Sequence, residues 1–270
     1  MTKLVRDLMN PGIMTCWPDA SLGQIAVMLA ERHVHALFVA DRRGRPIGII
    51  TDFDLLAGEW LSADQESLTA MRSLTAGDLM STPIHTVAAD EPAVSAARRM
   101  RDELIRRLMV VDKGRPVGVI SVSDFIRDLA SRGKPSRETV GDVMSDAMLV
   151  CRDKTTVLAA ARAMADTGWR SVLVLSAAGK ALGVFSGLDL LKYCQIDDCP
   201  DTTLVTEVMH PALTIEITAS LHEAAKTMIE AHHHRLIVVD PEQPDAIPLG
   251  VISSFDIVAA MAHPDSVWQQ

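Results

Sequence analysis

Long apolar runs are missing from this 270-residue chain, and no stretch approaches the roughly 18 residues that would suggest a membrane span. Positive charge is in deficit. The 26 basic residues stand against 35 acidic ones, a net charge of −9, which argues against non-specific nucleic-acid binding because that needs a surface excess of Lys and Arg. Cysteine is scarce, and its four copies lack the dense regular spacing of a disulfide framework. Cys16 and Cys151 fall at equivalent places in predicted strands and read as buried thiols. Cys194 and Cys199, spaced C-x4-C in a linker, lack the second Cys/His pair of a recognisable metal site. Catalytic motifs are also missing: there is no P-loop, no G-x-G-x-x-G after a strand, no H-E-x-x-H, and no nucleophile beside a base. The expectation is a non-enzyme without metal or required cofactor. The opening residues Met1 to Asp7 lack the apolar region of a secretory signal, so the expected location is cytoplasmic.

What the chain does have is a fourfold repeat. A Gly-containing apolar run ends in a hydroxyl residue followed three positions later by Asp, starting at Gly48, Gly118, Gly183 and Gly250, about 70, 65 and 67 residues apart. The hydroxyl and carboxylate pairs are Thr51 with Asp54, Ser121 with Asp124, Ser186 with Asp189 and Ser253 with Asp256. Each repeat opens with an acidic residue, an aliphatic one and Met: Asp7-Leu8-Met9, Asp78-Leu79-Met80, Asp142-Val143-Met144 and Glu207-Val208-Met209. The four methionines read as gap-fillers of a core.

Between opening and motif, the pattern predicts a strand, an amphipathic helix and a hairpin. The helices follow i, i+3, i+4, i+7 in Leu22, Ile25, Ala26, Leu29; Ala93, Ala96, Ala97, Met100; Val157, Ala160, Ala161, Met164; and Leu221, Ala224, Ala225, Met228. Ser21 with Gln24 and Ser220 with Glu223 read as capping boxes. A second helix follows each motif, as in Leu55-Leu56-Ala57 and in 257–261. The unit is β-α-β-β-α, about 55 residues, too small for a good core of its own, so neighbours should pair. Expected boundaries are 1–58, 76–130, 140–194 and 205–262. The polar linker Ser131 to Glu138 divides the chain into paired units 1–133 and 134–270. The loop Pro241 to Pro248 reads as an insertion at a hairpin tip, and His232-His233-His234 as a solvated helix end.

These motifs, four in register, resemble the cystathionine β-synthase (CBS) domain, whose tandem pairs are called Bateman modules. The resemblance implies an α/β fold of four β-α-β-β-α CBS repeats paired into two Bateman modules, as a homodimer or by intrachain pairing. It implies regulatory binding of adenosine-containing ligands, AMP, ADP, ATP or S-adenosylmethionine, in clefts between paired repeats, with the change passed to a regulated protein. The motif Asp would take the ribose hydroxyls, and the Ser/Thr hydroxyl with adjacent backbone would donate to phosphate. A basic residue ahead of the second strand would reach phosphate. Arg107 and Arg235 match that position, whereas repeats 1 and 3 carry His35-Ala36 and Arg170-Ser171 and depart from it.

Two bland readings stand beside this one. The sequence [ST]-x-x-[DE] is itself a capping box, so each pair is either a helix cap or a ribose-phosphate grip. The chain as a whole could then be a non-catalytic scaffold with empty clefts. An enzyme with a site assembled from distant segments is the remaining alternative.

Overall fold

The computed structural model describes residues 3–32, 34–55, 74–132, 138–187, 189, 202–243, 247–263 and 266. Leu56, Ala57, Cys194 and Cys199, most of the three linkers, and 244–246 of the hairpin insertion lie outside the described residues.

Each repeat opens on a single helical turn, and its acidic residue is the reason the turn forms there. In repeat 2, α3 (Ala76–Leu79) is capped by Asp78, whose carboxylate accepts the Thr75 N–H at 2.8 Å and its hydroxyl at 2.7 Å. Asp142 does the same for α6 (Val140–Val143) through Thr139, and in both cases these donors hold the carboxyl below its ordinary range. Repeat 1 begins with α1 (Val5–Leu8), capped by Asp7, and repeat 4 with a 3-10 turn (Val205–Glu207) capped by Glu207.

The body of each repeat follows the expected order. Repeat 1 contains β2 (Thr15–Cys16), α2 (Leu22–Glu31), β3 (Ala36–Ala40) and β4 (Pro46–Thr51), after the opening strand β1 (Asn10–Pro11). Residues 52–55 are helical. Repeat 2 has β5 (Thr86–Ala88), α4 (Ala93–Asp102), β6 (Arg107–Asp112), β7 (Arg115–Ser121) and α5 (Val122–Ser131). Repeat 3 has β8 (Val150–Arg152), α7 (Val157–Thr167), β9 (Ser171–Leu175) and β10 (Ala181–Ser186). Repeat 4 has β11 (His210–Pro211), β12 (Thr214–Glu216), α8 (Leu221–Glu230), β13 (Arg235–Val239), β14 (Gly250–Ser253) and α9 (Ser254–Met261). Within every repeat the first body strand runs parallel to the second across the helix, and the second pairs antiparallel with the third as a hairpin. The hairpin of repeat 1 turns where the Asp41 carboxylate accepts the N–H groups of Arg43 and Arg45 and Gly44 adopts φ +75°.

The helix faces read from the sequence are the buried faces, except that Ala26 is only half-buried. The capping boxes Ser21/Gln24 and Ser220/Glu223 are both formed. Cys16 is buried, and burial pushes its thiol up to about 11; Cys151 is half-buried, less enclosed than its strand position suggested. His232 takes a left-handed conformation (φ 56°) just past α8, which ends that helix.

The described chain forms two compact units that do not follow sequence neighbours: Met1–Ile13 with His85–Met148 and Ala212–Gln270, and Met14–Ile84 with Leu149–Pro211. The first unites the bodies of repeats 2 and 4 around one continuous core. Ala96, Ala97 and Met100 of α4, Phe125 and Leu129 of α5, Ala225 and Met228 of α8, and Ile257 and Met261 of α9 are its helical members. Each large apolar side chain so buried contributes about 1.5–3 kcal/mol. The second unit unites repeats 1 and 3, which keep separate cores, with Phe53 of repeat 1 packed against the repeat 3 core.

The opening segments are exchanged between sequence neighbours. Strand β1 of repeat 1 pairs with β7 of repeat 2, and β11 of repeat 4 pairs with β10 of repeat 3. In the return direction Ser81 of repeat 2 bridges Ile49 of repeat 1, and Ser145 of repeat 3 bridges Val251 of repeat 4. This exchange explains the motif glycines. A methyl on Gly118 would press on the carbonyl oxygen of Asn10, and one on Gly250 on that of Ser145. At Gly48, Gly118 and Gly183 the opening methionines Met80, Met9 and Met209 close the same gap, the Met9 sulfur lying 3.0 Å from the position of such a methyl at Gly118.

Candidate functional site

All four motif pairs sit where a strand turns into a helix, and all four are caps. One oxygen of Asp54 accepts both the N–H and the hydroxyl of Thr51 at 2.7 Å, and Asp124, Asp189 and Asp256 repeat this with Ser121, Ser186 and Ser253 at 2.7–2.9 Å. The hydroxyl proton is therefore committed to the carboxylate, and anion donors at this turn are backbone N–H groups at a helix start. Each aspartate keeps a second oxygen, and the copies diverge there.

In repeats 2 and 3 the second oxygen is taken by a neighbour's opening segment. The Asn10 amide donates to Asp124 Oδ1 at 2.6 Å, and Arg127 donates to the same oxygen at 2.9 Å. His210 Nε2 meets Asp189 Oδ1 at 2.5 Å. Both aspartates are 2% exposed. In repeats 1 and 4, Ser81 and Ser145 stand at the register positions of Asn10 and His210, each opposite the residue after the motif glycine. Serine is shorter, and the Ser145 hydroxyl turns to the Ala147 carbonyl instead. Asp54 and Asp256 are half-buried, and no donor among the described residues reaches their second oxygen.

The two open aspartates share a further feature that the motif reading missed. Arg170 of repeat 3 stacks over the ring of Phe53, 4.4 Å from its centroid, and Arg106 of repeat 2 lies 5.3 Å from the centroid of Phe255. Phe53 and Phe255 directly precede Asp54 and Asp256 in the chain. The signal was available, since a Phe precedes Asp only in repeats 1 and 4, and Arg106 and Arg170 occupy one equivalent position ahead of a second strand. Arg107 and Arg235 begin β6 and β13 and pair directly with Ser121 and Ser253, which places each on the face of its motif hydroxyl. Ala36 and Ser171 fill that register opposite Thr51 and Ser186.

Burial raises the Asp54 carboxyl above its ordinary value, against the lowering hydrogen bonds from Thr51 and the nearby Arg170 charge; Asp52 adds to the rise. Asp52 itself meets His35 Nδ1 at 3.0 Å. Among the described residues no group of three or more His, Cys, Asp or Glu is placed to hold a metal, and no helix is long and apolar enough to cross a membrane.

The family model of the CBS domain matches residues 5–59, 76–131, 140–196 and 205–263. The chain belongs to the CBS domain family. Its four CBS repeats are paired into two Bateman modules, the α/β fold that the motifs led one to expect. The structure of protein MJ1225 from Methanocaldococcus jannaschii, described as a proposed archaeal homologue of γ-AMPK, superposes with a TM-score of 0.82 over 95% of this chain and 99% of that one, at 18% identity. Among curated relatives, uncharacterized protein MK0525 of Methanopyrus kandleri is 29% identical over 124 residues, 45% of this chain and 63% of that protein. Uncharacterized protein MJ1404 of Methanocaldococcus jannaschii is 29% identical over 191 residues, 69% of this chain and 43% of that protein. The CBS chain thus spans less than two thirds of the length of either.

Proposed function

We propose that this CBS protein is a non-catalytic sensor of adenosine-containing nucleotides, with Asp54 and Asp256 as its ribose-binding carboxylates. The observation that carries this reading is the second oxygen of each carboxylate, which no donor among the described residues reaches. A carboxylate that caps its helix with one oxygen and leaves the other open can accept the hydroxyl protons of a cis-diol without giving up the cap. Cations stand close by in both places. Arg170 lies beside the Asp54 motif, and Arg106 and Arg235 beside the Asp256 motif, giving the latter two guanidinium groups for phosphate.

The regulatory step follows from which repeats supply these groups. Asp256 belongs to repeat 4 and Arg106 to repeat 2, so a ligand held by both fixes the packing of α9 on α4 and α5 within that unit. Asp54 and Arg170 link repeats 1 and 3 in the same way. A ligand that favours one such packing shifts its population, and a regulated protein reads the shift. The division into modules 1–133 and 134–270 belongs to this reading and is supported by the exchange of opening segments between neighbouring repeats.

Titration calorimetry with AMP, ADP, ATP and S-adenosylmethionine tests it. At least one should bind, and Asp54→Ala and Asp256→Ala should each weaken their site by about 10–100-fold, the value of losing hydrogen bonds to a charged group. No binding at millimolar ligand would leave the aspartates as caps and the chain as a scaffold.

A further inference from the structure

The four motif aspartates are chemically alike in sequence and unlike in the fold, and the difference lies in the residue after each opening methionine. Asn10 hydrogen-bonds Asp124, and His210 makes an ion-pair contact with Asp189, at the oxygen that Asp54 and Asp256 leave open among the described residues. We propose that Asn10 and His210 are intramolecular occupants of the repeat 2 and repeat 3 sites, so that the chain takes two nucleotides, at Asp54 and Asp256, and not four. The inference rests on the ribose role given to these aspartates above.

Three features set the occupied repeats apart, the first and third in both repeats 2 and 3 and the second in repeat 2. The first is reach. From the bridged opening strand the Asn10 amide donates to Asp124, and the His210 ring nitrogen makes a 2.5 Å ion-pair contact with Asp189, each where a ribose hydroxyl would approach, whereas the serines at positions 81 and 145 do not reach it. The second is the helix position one turn beyond the aspartate. Arg127 adds a second donor to Asp124 Oδ1 there, while Ala57 and Ala259 stand at that place in repeats 1 and 4 of the sequence. The third is the wall. Phe53 and Phe255 precede the open aspartates, each under a guanidinium, and Ser123 and Leu188 precede the occupied ones. Burial agrees with all three, since the occupied carboxylates are 2% exposed and the open ones half-buried.

The arrangement also places one open and one occupied repeat in each unit. The occupied repeat supplies the arginine that covers the open one's Phe. Holding Asp124 and Asp189 internally keeps those repeats rigid without ligand, which lets them serve as fixed platforms for Arg106 and Arg170.

Equilibrium dialysis of the full chain with AMP and with ATP tests the proposal by stoichiometry. The wild type should bind two per chain. His210→Ser, and Asn10→Ser combined with Arg127→Ala, should each raise this to three. The converse variants Ser145→His and Ser81→Asn should each lower it to one, and they remain informative if the opening variants melt without a cooperative transition. Four sites in the wild type, or two sites that none of these substitutions changes, would overturn the occupant role while leaving nucleotide binding intact. No binding by any of these proteins would overturn the ribose reading itself and the occupant role with it.

Discussion

The Arg170 guanidinium lies over the ring of Phe53, 4.4 Å from its centroid, and so brings a cation from repeat 3 to within one residue of Asp54 in repeat 1. Arg106 and Phe255 repeat the contact between repeats 2 and 4 at 5.3 Å. A guanidinium over a ring face can still donate from its edge, so on the proposed reading the two arginines are the phosphate donors beside the two open carboxylates.

Removing either guanidinium should therefore cost phosphate recognition more than nucleoside recognition. For Arg170→Ala and Arg106→Ala, AMP affinity at the affected site should fall about 10–100-fold, the loss of one charge-assisted contact, while adenosine affinity falls less than about threefold. Calorimetry with both ligands on each variant gives the comparison. Equal losses for AMP and adenosine would reassign the arginines to packing.

Asp54 carries a stability cost that the proposed ribose role would explain. Burial raises its carboxyl in the folded chain, so the contribution it makes to stability is full below its unfolded value and is lost as pH rises through the folded one. At neutral pH the charged form is held in the fold at a penalty. Asp54→Asn, which keeps an acceptor for the Thr51 donors, should then raise the melting temperature of the ligand-free protein at pH 7 by a few degrees at most, on the order of 1 kcal/mol. The difference should shrink towards zero as pH is lowered to about 4. A constant difference across that range would point to a cause other than the charge.

The exchanged opening segments make a different demand on stability. Gly118→Ala puts a methyl against the Asn10 carbonyl, which is backbone and cannot rotate away, and should destabilise by about 1–3 kcal/mol in urea unfolding. Gly23 in α2 has open space around it, so Gly23→Ala should instead stabilise by about 0.4–1 kcal/mol. The opposite signs separate close approach from helix propensity.

Local features of this fold were legible because their causes are local. Ala93, Ala96, Ala97 and Met100 fall on one face at helical spacing, and that face is buried; Ser220 and Glu223 lie three apart and form their box. The motif likewise proved to be a cap in all four copies, as its spacing allowed. The sequence pattern could not say that α8 of repeat 4 packs on α5 of repeat 2, because four amphipathic helices with the same periodicity do not encode which will meet. Nor did a motif ending at the methionine reveal Asn10 and His210. Their meaning depends on the exchange that carries each opening segment to a neighbour's sheet, a long-range pairing with no periodic trace. Arg106 and Arg170 leave no periodic trace for a related reason: each stands one residue before the position opposite the motif hydroxyl, and its Phe partner lies 149 or 117 positions away in another repeat.

The remaining ambiguity between cap and grip is decided by which atom is removed. Ser253 accepts the Asp256 N–H at 3.3 Å and donates its proton to Asp256 Oδ2, so its only donor is spent within the turn. Ser253→Ala should cost about 1 kcal/mol of stability, as the loss of an N-cap does, and should weaken nucleotide binding less than about threefold. Asp256→Ala removes the cap acceptor and the open oxygen together, so it should lose comparable stability and about 10–100-fold in affinity. Thermal melts and calorimetry on the two variants measure both quantities. If Ser253→Ala lost as much affinity as Asp256→Ala, the hydroxyl would be a ligand donor that leaves its cap on binding, and the open oxygen would not be what distinguishes the repeat 4 site.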